Sequence, residues 1–251
     1  MAHGKRYRKQ LGKVQREREY PPAEAIALIK ETASAGFDET VELHMRLGVN
    51  VRHAEEQLRG TLALPHGLGK DVSVAVFAEG QQARDAESAG ADFVGGQDMV
   101  EKVQEGWTDF DVVISTPDMM KTVGQLGRVL GPQGKMPNPK VGTVTDEIEK
   151  AVSESKSGKI EYRTDRQAIV HLAIGKAGFD EQKLLDNCLA VIDEIVRAKP
   201  SSSKGKYILS ATLTTTMGPG IRIDAGKTGD RQAASSEPAE TPEPAAEPAT
   251  A

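Results

Sequence analysis

A run of hydroxyl side chains ends in glycine near the carboxyl end of the chain, Thr214-Thr-Thr-Met-Gly-Pro-Gly220. Hydroxyls can donate hydrogen bonds to phosphate and ribose oxygens, and glycine allows the backbone to approach a ligand closely. The same composition is also typical of a threonine-rich edge strand that ends in a turn. The segment is a candidate binding site for a ligand that carries phosphate and sugar. The alternative, an edge strand with no ligand, stays open.

Two other segments could contact such a ligand. In Phe37-Asp-Glu-Thr40 an aromatic ring lies between Gly36 and a predicted strand, where it could stack on a base or fill the core, the more common outcome. The basic head, Lys5-Arg-Tyr-Arg-Lys9, could bind a phosphate backbone, although a solvated helix face is at least as common.

Motifs for other chemistries are absent. Gly67-Leu-Gly69 and Gly218-Pro-Gly220 lack the third glycine of a dinucleotide-binding loop, and no Gly-Lys pair has the context of a phosphate-binding loop. The five histidines form no metal-ligand pattern, and no serine lies in a nucleophile elbow. The lone cysteine, Cys188, lies in an apolar helical stripe and is predicted to be buried. We expect no enzyme, cofactor or metal.

The elements that must position these residues fall into two kinds. From Lys70 to Gly158, short apolar strands such as Asp71–Ala78 and Asp111–Ser115 alternate with helices, one of them predicted over Pro117–Leu130. This pattern predicts a parallel sheet covered by helices on both faces, a Rossmann-like three-layer α/β unit.

The flanking segments predict an α+β unit instead. Thr40–Gly48 alternates apolar and polar residues, as a half-buried antiparallel strand does. Further strands are predicted at 57–64, 159–163, 168–174 and 207–214, with helices at 22–35 and 180–199. The apolar side of the last helix is predicted to contain Leu184, Leu185, Cys188, Leu189, Ile192 and Ile195.

Composition completes the domain prediction. Domain one is split over residues 1–67 and 159–227, domain two is the insertion 68–158, and residues 228–251 form a Pro/Ala/Glu-rich tail predicted to be disordered. The net charge of −5 divides into +5 for domain one, −6 for domain two and −4 for the tail. An acidic total therefore does not exclude a nucleic-acid partner. No apolar run is long enough for a membrane span, and the basic start leads into no signal peptide.

Six blocks, in order along the chain, carry a resemblance to a known family. They are His3-Gly-Lys-Arg-Tyr7, Phe37-Asp-Glu-Thr-Val-Glu42, Leu64-Pro-His-Gly-Leu-Gly-Lys70, Gly90-Ala-Asp-Phe-Val-Gly-Gly96, Leu130-Gly-Pro-Gln-Gly-Lys-Met-Pro-Asn-Pro-Lys140 and Thr214-Thr-Thr-Met-Gly-Pro219. Together they resemble the bacterial large-subunit ribosomal protein L-one family, whose members form the mobile stalk beside the tRNA exit site.

The resemblance implies a set of RNA-binding residues. The main ones are Phe37, Thr40, Glu42, Ser210, Thr216, Met217 and Gly218, and the secondary ones are Lys5, Arg6, Thr214, Thr215, Arg163 and Lys140. The chain departs from the family at Gly36, where a basic residue is common, and at Gln133 and Lys135 in the Gly-Pro loop.

The resemblance also implies the partners. It predicts a cytoplasmic constituent of the large ribosomal subunit that binds large-subunit rRNA, takes part in release of deacylated exit-site tRNA, and represses its own operon by binding its mRNA. The alternative from another class is a small-molecule-binding or enzymatic α/β protein that uses the middle segment.

Overall fold

The structure is a computed structural model that describes residues 4–203 and 205–224. The α-helices are α1 (Lys5–Leu11), α2 (Pro22–Thr32), α3 (Gln81–Ser88), α4 (Gln97–Gln104), α5 (Met120–Val123), α6 (Gly127–Gln133), α7 (Ile148–Lys156) and α8 (Glu181–Arg197). The strands are β1 (Thr40–Leu47), β2 (Arg59–Ala63), β3 (Val74–Phe77), β4 (Phe93–Gly95), β5 (Val112–Ser115), β6 (Lys159–Arg163), β7 (Ile169–Lys176), β8 (Ile208–Thr215) and β9 (Ile221–Ile223). The predicted tail, 228–251, lies outside the described residues.

The flanking segments build one antiparallel sheet in the order β7-β1-β8-β9. Its strands alternate as the sequence predicts, so one face is apolar and buried; on β1 that face carries Val41, Leu43, Met45 and Leu47. Helices α2 and α8 contribute to the same core, which contains buried residues from Val14 to Leu64 and from Ile160 to Ile223. Two segments distant in sequence therefore share one hydrophobic core.

The middle segment builds a separate parallel sheet in the order β4-β3-β5. One face of this sheet packs against apolar residues of α4, α5 and α6, and the other against α3 and α7. The predicted mixed α/β fold, with a parallel sheet covered on both faces, is confirmed. The domain boundaries themselves stay a prediction.

The chain enters and leaves the middle segment side by side. Strands β2 and β6 pair antiparallel, from Arg59 opposite Arg163 to Ala63 opposite Lys159. The entry loop is held by Asn187 of α8, whose Nδ2 donates to the carbonyls of Gly67 (3.0 Å) and Ile174 (2.8 Å). This two-stranded ribbon connects the two sheets.

Several predicted details were wrong. The single helix over 117–130 is α5, a 3-10 turn at Gly124–Leu126 and α6, because glycines at 124 and 127 weaken a continuous helix. On α8 the buried stripe contains Asn187 and Val191, while Leu185 and Leu189 are half-buried. Asn187 is buried because its side chain satisfies the backbone of the entry loop.

Other details agree with the prediction or extend it. Cys188 is fully buried, and burial raises the pKa of its thiol to about 12. Strand β9 was not predicted, since three residues carry too little alternation to mark a strand. Among the described helices, none is long and apolar enough to cross a membrane.

Candidate nucleic-acid interface

The second face of the antiparallel sheet is polar and accessible to solvent. Here Glu42 lies opposite Thr214, and Arg46 lies opposite Ser210, so residues from β1 and β8 that are about 170 positions apart become neighbours. Between these two rows lies a third, in which His44 is flanked by His171 on β7 and Thr212 on β8. We call this side of the sheet the sheet surface; it brings together the predicted residues Glu42, Ser210 and Thr214.

At one end of the sheet surface two loops meet. The amide of Thr40 donates to Oγ1 of Thr216 (3.1 Å), and the amide of Thr216 donates to the carbonyl of Thr40 (3.2 Å). The side chains of Phe37 and Met217, which these loops carry, are 56% and 51% exposed. The core alternative for Phe37 is therefore wrong. An exposed aromatic ring and an exposed thioether beside hydroxyls are suited to stacking on bases and covering sugars.

Glu39 positions these two loops, and sequence reasoning missed it. Its Oε1 accepts from the amides of Ser34 (2.9 Å) and Ala35 (2.7 Å), and its Oε2 accepts from the amide of Met217 (2.9 Å). The residue is only 1% exposed. Burial opposes ionisation, but the hydrogen bonds from Met217, Ala35 and Ser34 outweigh it and hold the pKa of Glu39 below its usual value. An ionised carboxylate thus ties the Phe37 loop to the Met217 loop.

Two further residues, Lys176 and Gly218, define this end of the surface. Nζ of Lys176 donates to Oγ1 of Thr40 (2.8 Å). This places a cation, which sequence reasoning did not include, beside the predicted contact residue Thr40. Gly218 follows Met217 and donates its amide to the carbonyl of Thr215 (3.2 Å). A Cβ at position 218 would collide with the hydroxyl of Thr215, so the turn requires glycine there.

Thr215 does not belong to the sheet surface. It lies opposite Val41 on the core side of the sheet and is 3% exposed. Because successive strand residues point to opposite faces, Thr214 and Thr215 cannot both face the same ligand. The alternation of side chains along a strand was the signal in the sequence that could have assigned Thr214 and Thr215 to opposite faces.

The remaining secondary candidates lie in two other places. Helix α1 carries Lys5 and Arg6, and Nη1 of Arg6 reaches the carbonyl of Ser34 (3.5 Å) in the loop before Phe37. Arg163 lies opposite Arg59 on the ribbon and lines a cleft of about 440 Å³ together with the end of α6 and the loop at 134–138. We call this the ribbon cleft.

Of the two lysines in residues 131–140, Lys135 has its ammonium group bonded within the fold and Lys140 is exposed. Lys140 follows Asn138 in a short 3-10 turn, and its amide donates to the Asn138 side chain (2.8 Å). Nζ of Lys135 donates to the carbonyl of Thr108 (3.1 Å) and lies over the ring of Phe110. The charge at position 135 is therefore directed into the middle segment.

Charge on the sheet surface is mostly positive. Arg46, Lys176 and Arg222 contribute permanent cations and Glu42 a carboxylate. The pKa of His44 is lowered by burial and by the neighbouring His171, against the opposing effect of Glu42. Within residues 4–203 and 205–224, no three His, Cys, Asp or Glu side chains are placed to hold a metal ion. The surface has the donors and cations that a polyanion with sugar hydroxyls requires.

Comparison with known proteins decides the family. Residues 29–219, most of the chain, match the model of the ribosomal protein L1p/L10e family. The chain belongs to this ribosomal protein family. It is also 57% identical, over 228 residues, to the large ribosomal subunit protein uL1 of Thermobifida fusca (strain YX); the match covers 91% of this chain and 97% of that protein. The resemblance in the six sequence blocks is thereby confirmed.

Proposed function

We propose that this L1-family protein is a non-enzymatic constituent of the large ribosomal subunit that binds large-subunit rRNA on the sheet surface and the adjoining Phe37 and Met217 loops. One observation carries the proposal: Glu39 ties together two loops 178 residues apart, and thereby places two exposed apolar side chains beside the polar sheet surface. Family membership and the name of the similar uL1 protein support it.

Each part of the surface would contribute a different contact. Phe37 would stack on an unpaired base, and Met217 would pack against a sugar or base face. The hydroxyls of Thr40, Thr216 and Ser210 would bond to phosphate or 2′-hydroxyl groups, while Glu42 would accept from a 2′-hydroxyl or a base amine. Arg46, Arg222 and Lys176 would supply the salt-dependent attraction to the backbone.

The two sheets would divide the work between them. We assign rRNA binding to domain one, residues 1–67 and 159–227, whose net charge is positive. Domain two, residues 68–158 with a net charge of −6, would make fewer RNA contacts and would form part of the mobile stalk during release of exit-site tRNA. Support for the tRNA role is the family resemblance and the ribbon that joins the two parts.

Regulation would follow from the same surface. A surface that recognises a fold of RNA through hydroxyls, stacking and shape binds any RNA that presents the fold. We propose that the protein represses its own operon by binding an mRNA segment of this kind in the cytoplasm. The expectation rests on the resemblance alone.

Binding to deproteinised large-subunit rRNA tests the main proposal. We expect the parent protein to bind, and Phe37→Ala to weaken binding because it removes the stacking ring, by about 1–3 kcal/mol. The matched control is Val196→Ala on α8, which also shortens a half-exposed apolar side chain but lies away from the sheet surface. Equal affinities for Phe37→Ala and the parent, with Val196→Ala also unchanged, would move the site elsewhere.

A further inference from the structure

Two histidines meet in the middle of the sheet surface. His44 and His171 are cross-strand partners on β1 and β7, and their Nδ1 atoms lie 2.8 Å apart. The outer nitrogen of each ring faces a carboxylate: Nε2 of His44 lies 3.6 Å from Glu42, and Nε2 of His171 lies 3.5 Å from Asp165. Four titratable groups therefore form one chain across two strands.

The geometry limits how many protons the pair can hold. A hydrogen bond between two ring nitrogens needs one N–H and one lone pair, and each carboxylate favours an N–H on the nitrogen that faces it. Three protons on two imidazoles satisfy all three contacts, and that state carries one positive charge. A fourth proton would place two N–H groups against each other at 2.8 Å. The two rings can therefore hold at most three protons between them while this contact persists.

The pair lies inside the footprint of the proposed interface. Its row continues across the sheet through Thr212 on β8 to Arg222 on β9. Glu42 and Thr214 lie in the row on one side, and Arg46 and Ser210 in the row on the other. The charged groups nearest the rings are the carboxylates of Glu42 on β1 and Asp165 in the loop before β7. Two arginines lie farther out in register, Arg46 two positions along β1 and Arg222 on β9 beyond Thr212.

We propose that His44 and His171 form a phosphate contact of the RNA-binding surface and that the pair takes up one proton when RNA binds. The inference rests on the proposed function and adds to it a contact and a proton. A phosphate oxygen over the pair would stabilise the singly charged state by direct attraction between its negative charge and the positive charge that the two rings share.

The experiment measures Kd for deproteinised large-subunit rRNA at about pH 7.5 and about pH 6, where uptake of one proton tightens binding by at most about tenfold per pH unit. His44→Gln and His171→Gln should each remove most of this pH dependence. The double variant should lose little more of the pH dependence than either single variant does, because the shared proton requires both rings. Calorimetry in two buffers of different ionisation enthalpy should count close to one proton bound by the parent.

The controls separate this proposal from the one it rests on. His53→Gln changes an exposed histidine in the loop after β1 and should keep the pH dependence of the parent. If the parent binds rRNA and both pair variants keep its Kd and its pH dependence, the pair is not a contact and the inference fails alone. If the parent binds at neither pH, the proposed function fails with it. His171→Gln, at the more exposed ring, remains informative if His44→Gln does not fold.

Discussion

The sheet surface and the ribbon cleft both carry basic side chains, but they differ in how those charges are paired. On the sheet surface Arg46 and Arg222 have no carboxylate partner among the described residues. In the cleft, Arg59 is bonded to Glu161 (2.7 Å), while Arg163 has no carboxylate partner among the described residues. Beside the cleft on the ribbon, Lys159 is bonded to Glu154 (2.9 Å). Cations already neutralised within the fold release fewer counterions when RNA binds. We therefore predict that the unpaired arginines of the sheet surface contribute more to RNA binding than the partly paired cations of the ribbon cleft.

The strongest test of this contrast removes contacts from the sheet end. We expect Thr216→Val and Met217→Ala each to weaken rRNA binding by about 1–3 kcal/mol, or roughly 5- to 150-fold in Kd, because each removes a group placed for direct contact. Filter binding measures the Kd. Thermal unfolding should show little change for Met217→Ala, whose side chain is exposed, and a small loss for Thr216→Val, which also removes the acceptor of the Thr40 amide. Two folded variants that bind like the parent would place the contact outside this end.

A second test removes the tie between the loops rather than a contact. Glu39→Gln should lower the free energy of unfolding by about 1–3 kcal/mol, since a neutral amide replaces a carboxylate that accepts from three backbone amides. It should also weaken rRNA binding, because the Phe37 and Met217 loops lose their fixed spacing. Glu31→Gln, at an exposed position on α2, is the matched control and should change neither quantity appreciably.

The same carboxylate predicts a pH dependence of stability. The folded-state pKa of Glu39 lies below its usual value, so its stabilising contribution is present above about pH 4.5 and is lost as the pH falls through the folded-state pKa. Urea unfolding at a series of pH values should show the parent losing its advantage over Glu39→Gln below about pH 4.5. A constant difference down to pH 3 would show that Glu39 acts in its protonated form.

A weaker effect is expected at the ribbon cleft. Arg163→Gln should reduce rRNA affinity less than Met217→Ala does, and should lower the slope of log Kd against log salt by about one if Arg163 binds a phosphate. Salt titration of the two variants side by side measures this. An Arg163→Gln loss larger than that of Met217→Ala would reverse the ranking of the two surfaces.

The smallest effect is expected from removing the middle segment. Replacing residues 70–158 with a short Gly/Ser linker should leave rRNA affinity little changed, because we propose that the main contacts lie on the flanking segments. Circular dichroism checks that the remaining chain folds. A folded variant without rRNA binding would assign the main site to the middle segment.

Much of this architecture was predictable because it is encoded locally. Alternation over Thr40–Gly48 identified β1 and its buried face, and the strand–helix alternation of the middle segment identified its parallel sheet. The roles of Glu39 and His44 were not predictable, because both depend on partners more than 120 residues away in the sequence. Strand register determines those neighbours, and a single sequence does not reveal register.

The position of β1 has a consequence for how the chain folds. This strand lies between β7 and β8, so its neighbours are synthesised more than 120 residues after it. Strands β3, β4 and β5 pair with one another within residues 74–115, and one further bridge joins Ser115 to Val144. Closing a short loop costs less entropy than closing a long one, and proteins rich in local contacts fold faster. We expect the parallel sheet of the middle segment to fold on the translating ribosome before β1 finds its partners. We also expect β6, as it emerges, to pair with β2 before the antiparallel sheet is complete.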